Sequence, residues 1–203
     1  MRYALTVLLL LVMASGAYAG DLIYAFTYEA AMPTGDTKDF IESMSPIGGG
    51  IEIRGFDNVP FPPGLSFSMS VHFNVFSDEV SYTPTGNLLL VAAGDNTEKR
   101  DMLVIPVLVH SDYNFTLLRD EPAAVPYIGV GAGGYWIKTE TEIYGVAEDC
   151  SSWHFGLAPE AGVMITVSPK ALLTIGARYN YAFNSDHPAQ QFWTLSLGAV
   201  YNP

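Results

Sequence analysis

The chain is poor in cysteine, in charge and in long apolar runs. Its 203 residues include one cysteine, Cys150, which cannot build an intramolecular disulfide framework or a cysteine-based zinc site. Charged residues are only 15% of the composition, and 21 acidic residues outnumber 9 Lys and Arg, for a formal net charge of −12. Such a surface argues against nucleic-acid backbones, which demand positive charge, so no nucleic acid is expected as a partner. No segment reaches the roughly 20 apolar residues of a membrane-spanning helix. None sustains a 3.6-residue period either. Yet 49% of the residues are hydrophobic, too many for a disordered chain and enough for the core of one domain.

The N-terminus reads as an export signal. Met1-Arg2 is a short positive region, Leu5 to Val12 an apolar one, and Ala17-Tyr18-Ala19 supplies small residues for cleavage before Gly20. The expected organisation is a signal peptide over 1–19 and a single domain over 20–203.

That domain reads as strands. In Leu65 to Val75 the odd positions are all apolar, while the even ones are Ser66, Ser68, Ser70, His72 and Asn74. This period of two marks a strand with unlike faces. Trp153 to Val167, Leu173 to Phe183 and Trp193 to Tyr201 repeat it. Leu22 to Met32, Ile47 to Phe56, Leu103 to Phe115 and Tyr127 to Ile143 follow it less regularly. Eight candidate strands result, near the length of about 9–11 residues that a tilted strand needs to cross a bilayer. Ser168-Pro169-Lys170 is a tight turn, whereas Pro33 to Ser45, Ser77 to Glu98 and Gly145 to Ser152 are expected as longer, partly acidic connections on the opposite side. Asp39 to Met44 is predicted to form one helical turn.

Which face meets lipid decides the class of function. A soluble sandwich or barrel would turn the apolar face inward, making Trp153, Trp193 and Ile175 the lining of a pocket for a small apolar ligand. The inverted arrangement fits better. The polar faces carry small neutral residues with scattered charges of both signs, where a water-facing surface would carry many Lys and Glu. Aromatics gather at strand ends: Trp136, Trp153, Trp193, Tyr181 and Phe183 at one level, Tyr24, Tyr113, Phe115 and Tyr201 at the other. Two such girdles suit rings at the two lipid–water boundaries. The fold expected is therefore all-β, an eight-stranded antiparallel up-and-down transmembrane β-barrel. Eight strands leave an interior that side chains nearly fill, so a wide pore is not expected.

Charges confined in that interior must pair. Glu160 and Arg178 are equally far from Pro169, which makes them cross-strand neighbours and a predicted ion pair. Glu29, Glu52, Arg54, His72 and Asp112 are the other candidates for an interior polar network. Their simplest role is to plug the barrel.

These features, together with the closing segment Ser196 to Pro203, resemble the OmpA/OmpW-type small outer-membrane β-barrels. Ser196, Gly198 and Tyr201 match the assembly signal of the last strand in that group, and Pro203 stands where Phe or Trp is usual. The resemblance implies a Gram-negative-type outer membrane, with its lipid and lipopolysaccharide as surroundings and the barrel-assembly machinery as a partner during biogenesis. It implies a monomer with a structural or surface-interaction role and at most narrow passage of small solutes.

Other motifs carry less. Gly129-Val130-Gly131-Ala132-Gly133-Gly134 formally matches a dinucleotide fingerprint, but Tyr135 to Thr139 continues a strand where a helix is required, so no cofactor is expected. His72, His110 and His154 lie on separate strands, at heights that do not suggest a shared metal, and none is expected. In His110-Ser111-Asp112 the serine points away from its neighbours, so no catalytic group is assigned and a lipid-modifying enzyme is the least favoured class. Acidic positions such as Asp36, Asp39, Asp78, Glu79, Glu148 and Asp149 are expected to be solvated, with bridging of divalent cations to lipopolysaccharide phosphates a further option.

Overall fold

The computed structural model describes residues 23–54, 64–81, 97–115, 123–143, 146–183 and 188–201. The expected signal peptide over 1–19 and the terminal Asn202-Pro203 lie outside the described residues. Alternating apolar and small polar residues form eight strands: β1 (Ile23–Thr34), β2 (Ile47–Arg54), β3 (Leu65–Ser81), β4 (Thr97–Asn114), β5 (Ala124–Ile143), β6 (Val146–Ser168), β7 (Ala171–Ala182) and β8 (Gln190–Tyr201). Each pairs antiparallel with the next, and β8 returns to β1, so the sheet closes as an up-and-down barrel with no free edge. Closure lets the ladder satisfy backbone groups without water, the condition for strands in hydrocarbon.

Strand lengths are unequal. β3 to β6 run 17, 18, 20 and 23 residues, whereas β1, β2, β7 and β8 run 12, 8, 12 and 12. The long four therefore project beyond the span a bilayer needs, on the rim opposite the start of β1. This corrects the expected connection over Gly145 to Ser152: Thr139 pairs with Cys150 and Thr141 with Glu148, so the β5–β6 ladder includes Val146 to Ser152. Cys150 accordingly sits exposed on a strand. The helical turn also shifts. It forms earlier, as α1 over Gly35–Phe40, because Gly35 adopts a left-handed φ of 52° that breaks β1 into the helix.

Polarity is inverted as the alternation predicts. Phe26, Ile51, Val71, Val130, Phe155, Ile175, Leu195 and Leu197 point outward and are exposed, while Glu29, His72, Asn74, His110, Asp112, Arg178 and Asn180 are buried inside. The apolar exterior is a band around a closed ring, far larger than a water-soluble protein exposes.

The interior divides by height. Toward the projecting rim it is apolar, with Phe76, Met102, Val104, Leu108, Tyr135, Ile137 and Phe192 in one cluster. Phe76 and Phe192 meet edge to face at 5.6 Å. The α1 segment closes this end. Ile41 is buried in the same cluster, Gln191 N–H donates to Thr37 Oγ1 at 2.6 Å, and Arg100 Nη1 donates to the Phe40 carbonyl at 2.9 Å. This apolar plug did not emerge from the sequence reading. Its trace was in β4, where Met102 to Val109 is apolar on both faces.

Candidate functional site: the charged interior

Below the apolar plug lies the charged centre, built by a repeated device. A long side chain on one strand lies across a glycine of the next and reaches the strand beyond. On β2, a Cβ at Gly50 would overlap the His72 ring, and one at Gly48 would sit 2.5 Å from Asn74 Oδ1. His72 and Asn74 of β3 thereby cross β2 to Glu29 of β1: His72 Nδ1 lies 2.8 Å from Glu29 Oε1, and Asn74 Nδ2 donates to Oε2 at 3.3 Å. Tyr135 of β5 crosses Gly156 of β6 in the same way and donates to Asn180 Oδ1 of β7 at 3.1 Å. On β5, a Cβ at Gly129 would overlap Asp112 Oδ1, and one at Gly131 would meet His110 Cε1 at 2.9 Å. Here β4 side chains cross β5 toward Glu160 of β6. The formal dinucleotide motif is thus the floor of a barrel interior, and its Gly134 instead faces outward under the Trp153 ring.

Arg178 joins the two sides. Its Nη2 donates to Glu29 Oε1 at 2.7 Å and its Nη1 to His72 Nε2 at 3.1 Å. With Nε2 accepting, the ring proton of neutral His72 resides on Nδ1, facing Glu29. Glu160 and Arg178 are register partners across β6 and β7. Their charged atoms stand 3.9 Å apart, so Glu29 is the nearer partner of Arg178. Glu52 and Arg54, two apart on β2, form a bidentate fork at 2.8 and 3.2 Å. The Arg54 guanidinium also lies 5.5 Å over the Tyr127 ring and donates to Met164 Sδ at 3.2 Å.

One group stands apart. Asp112 is fully buried, and neither carboxylate oxygen has a hydrogen-bond donor among the described residues. Its neighbours are His110, whose Nε2 lies 2.7 Å from Ser70 Oγ, and Glu160, whose Oε1 lies 3.5 Å from His110 Nδ1. The sequence reading weighed the histidines only against one another and did not set His110 beside these two carboxylates. Ligand atoms of His110, Asp112 and Glu160 lie within 4.8 Å of one another. His154 stays separate near the projecting rim, where Nδ1 is 2.9 Å from the Phe183 carbonyl oxygen.

Ser70, His110 and Glu160 also place a hydroxyl, an imidazole and a carboxylate in sequence. Sequence reading missed Ser70, because Ser68 and not Ser70 is the register partner of His110, and the contact is diagonal. The Ser70 side chain is buried inside the barrel.

The aromatic side chains expected as girdles lie at two levels on the outer surface, with Phe26 and Tyr28 exposed between them. Tyr24 pairs directly with Tyr201, and Tyr113 packs edge to face on Phe115 at 5.1 Å near the same rim. At the other level Trp136 pairs with Trp153, Trp193 leans on Tyr179 at 5.0 Å, and Tyr181 contacts Phe183 at 5.1 Å. Trp193 and Tyr201 are eight residues apart on β8, about 26 Å along the strand. After tilt that is about 20 Å, close to the apolar band of outer-membrane barrels.

No protein-family model matches the sequence, and no curated protein matches it. Solved structures do. Neisserial surface protein A superposes with a TM-score of 0.52 at 16% identity, covering 90% of this chain and 96% of that one. OprG from Pseudomonas aeruginosa gives 0.52 at 15%, covering 90% and 95%. A major outer membrane protein from Thermus thermophilus gives 0.52 at 17%, covering 88% and 98%. The chain has the fold of the small outer-membrane β-barrels.

Proposed function

We propose that this protein is an integral outer-membrane barrel with a non-enzymatic structural or surface-interaction role, and that its interior is plugged. The inverted polarity carries the reading: an unbroken apolar exterior surrounds buried charges, and only hydrocarbon outside makes that distribution favourable. The fold shared with outer-membrane proteins of three bacteria supports the same location. Export through the N-terminal leader, insertion by the barrel-assembly machinery and a monomeric state among lipid and lipopolysaccharide belong to this proposal. The Phe76–Phe192 contact and the α1 segment above it argue for a closed channel, and the exposed acidic ends of β3 to β6 are the surface available for contacts outside.

Fractionation and conductance test it. A carbonate-resistant, detergent-requiring protein with heat-modifiable gel mobility and no steady conductance in planar bilayers is expected. A detergent-free soluble monomer contradicts the membrane location, and a stable porin-sized current contradicts the plug.

A further inference from the structure

We infer that His110, Asp112 and Glu160 form a binding site for a first-row divalent transition-metal ion inside the barrel. This goes beyond the proposed role, since a plugged barrel can sit in a membrane with or without the ion.

Four observations converge. First, three side chains from β4 and β6 bring one imidazole nitrogen and two carboxylates within 4.8 Å of one another, close to a tetrahedral ligand set. Bonds of about 2.0–2.2 Å require separations of roughly 3.4 Å, and His110 Nδ1 already stands 3.5 Å from Glu160 Oε1. Second, Asp112 is fully buried, lies toward the other two, and has no donor on either oxygen among the described residues. A buried carboxylate left so is costly unless a positive group meets it.

Third, the ligand histidine is already oriented. Ser70 Oγ holds Nε2 at 2.7 Å, and Nδ1 faces the Glu160 carboxylate at 3.5 Å, longer than a hydrogen bond. When Nε2 donates to Ser70, Nδ1 presents a lone pair to the acidic pair, the arrangement that outer-shell partners impose on metal-binding histidines. Fourth, the charge matches. With every carboxylate ionised and His72 and His110 neutral, Glu29, Glu52, Asp112 and Glu160 outnumber the guanidinium groups of Arg54 and Arg178 by two negative charges. Arg54 and Arg178 are engaged at 2.7–2.8 Å by Glu52 and Glu29, while Glu160 stands 3.9 Å from Arg178, so Asp112 and Glu160 are the less closely matched pair.

The ligand types select the metal class. One imidazole with two carboxylates suits Zn²⁺, Co²⁺ or Mn²⁺. Ca²⁺ would need six to eight oxygens, which this site does not offer. Gly129 and Gly131 make the site possible, since side chains there would displace Asp112 and His110.

The test uses the folded barrel in detergent micelles, stripped with EDTA and titrated with Zn²⁺ by calorimetry and with Co²⁺ by visible absorption. One equivalent should bind, and X-ray absorption of the Zn²⁺ form should show an imidazole in the first shell. Asp112→Asn and His110→Gln should abolish that binding, Ser70→Ala should weaken it by about 10–100-fold, and His154→Gln should leave it unchanged. Absence of stoichiometric binding to the parent protein would overturn the inference. So would an all-oxygen first shell, binding that survives both ligand substitutions, or binding lost in His154→Gln. If either ligand variant fails to show the heat-modifiable mobility of a folded barrel, the parent's first shell and the His154→Gln titration decide alone.

Discussion

Two glycine-bridged arms cross the wall of this barrel, and they end differently. In the β1–β3 arm, His72 and Asn74 pass over β2 and meet Glu29, which also receives Arg178, so the carboxylate is held by three groups at 2.7–3.3 Å. In the β4–β6 arm, His110 and Asp112 pass over β5 and reach Glu160, but Asp112 receives no donor among the described residues. The backbone geometry is the same, and the difference lies in the arginine. Arg178 sits 2.7 Å from Glu29 and 3.9 Å from Glu160, so it holds the first arm's carboxylate closely and the second arm's only loosely. The first arm therefore acts as a structural clamp, and the second is where the inferred cation would sit.

Breaking the clamp should have the largest effect. Glu29→Ala strands Arg178 and His72 without their carboxylate, and an unfolding titration in detergent should show a loss of about 3–5 kcal/mol. A loss below about 1 kcal/mol would remove the distinction between the arms. Gly129→Ala comes next, because its Cβ would overlap Asp112; a cost of about 1–3 kcal/mol is expected. Asp112→Asn sharpens the contrast by its sign. It removes an unmatched charge, so the metal-free barrel should be unchanged or stabilised by about 1 kcal/mol. With Zn²⁺ at about a hundred times its Kd, the parent should gain about 2.7 kcal/mol and the variant nothing.

The smallest effect lies outside the lipid band, on the projecting rim. The backbone N–H of Glu42 donates to Asp78 Oδ2 at 3.0 Å and, with the Ser43 hydroxyl and the Glu79 N–H, holds the Asp78 carboxyl below its ordinary value of 3.8. A group lowered on folding contributes stability above its unfolded pKa and loses it as pH falls through the folded one. The protection factor of the Glu42 amide, the intrinsic exchange rate over the observed rate at the same pH, should therefore hold at neutral pH and fall below about pH 4. Asp78→Asn should remove the pH dependence while leaving global unfolding nearly unchanged.

Much of this was legible because strand alternation is a local signal. Phe67, Ile175 and Leu195 face outward as their period of two demands, and the tight turn at Pro169 fixed Glu160 opposite Arg178 by counting. Contacts that skip a strand were not legible. Reaching Glu29 from His72, or Glu160 from His110, needs barrel curvature and a glycine at the crossed position, and neither follows from the residues' own spacing. The start of β6 misled for a different reason. Acidic and small residues over Glu148 to Ser152 read as a loop, yet cross-strand pairing with Thr139 and Thr141 keeps them in the ladder. The apolar plug was half visible in β4 and completed by Phe76 and Phe192, which only closure brings together.

Depth-dependent fluorescence quenching tests the inverted polarity most directly. Trp153 and Trp193 are exposed on the outer surface, and Trp136 is half-buried on the same face. In vesicles, lipids brominated high on the acyl chain, near the headgroup boundary, should quench this fluorescence strongly, and those brominated near the bilayer centre should do so less. Emission that ignores brominated lipid, from protein that remains in the supernatant, would contradict a barrel with its apolar face in hydrocarbon.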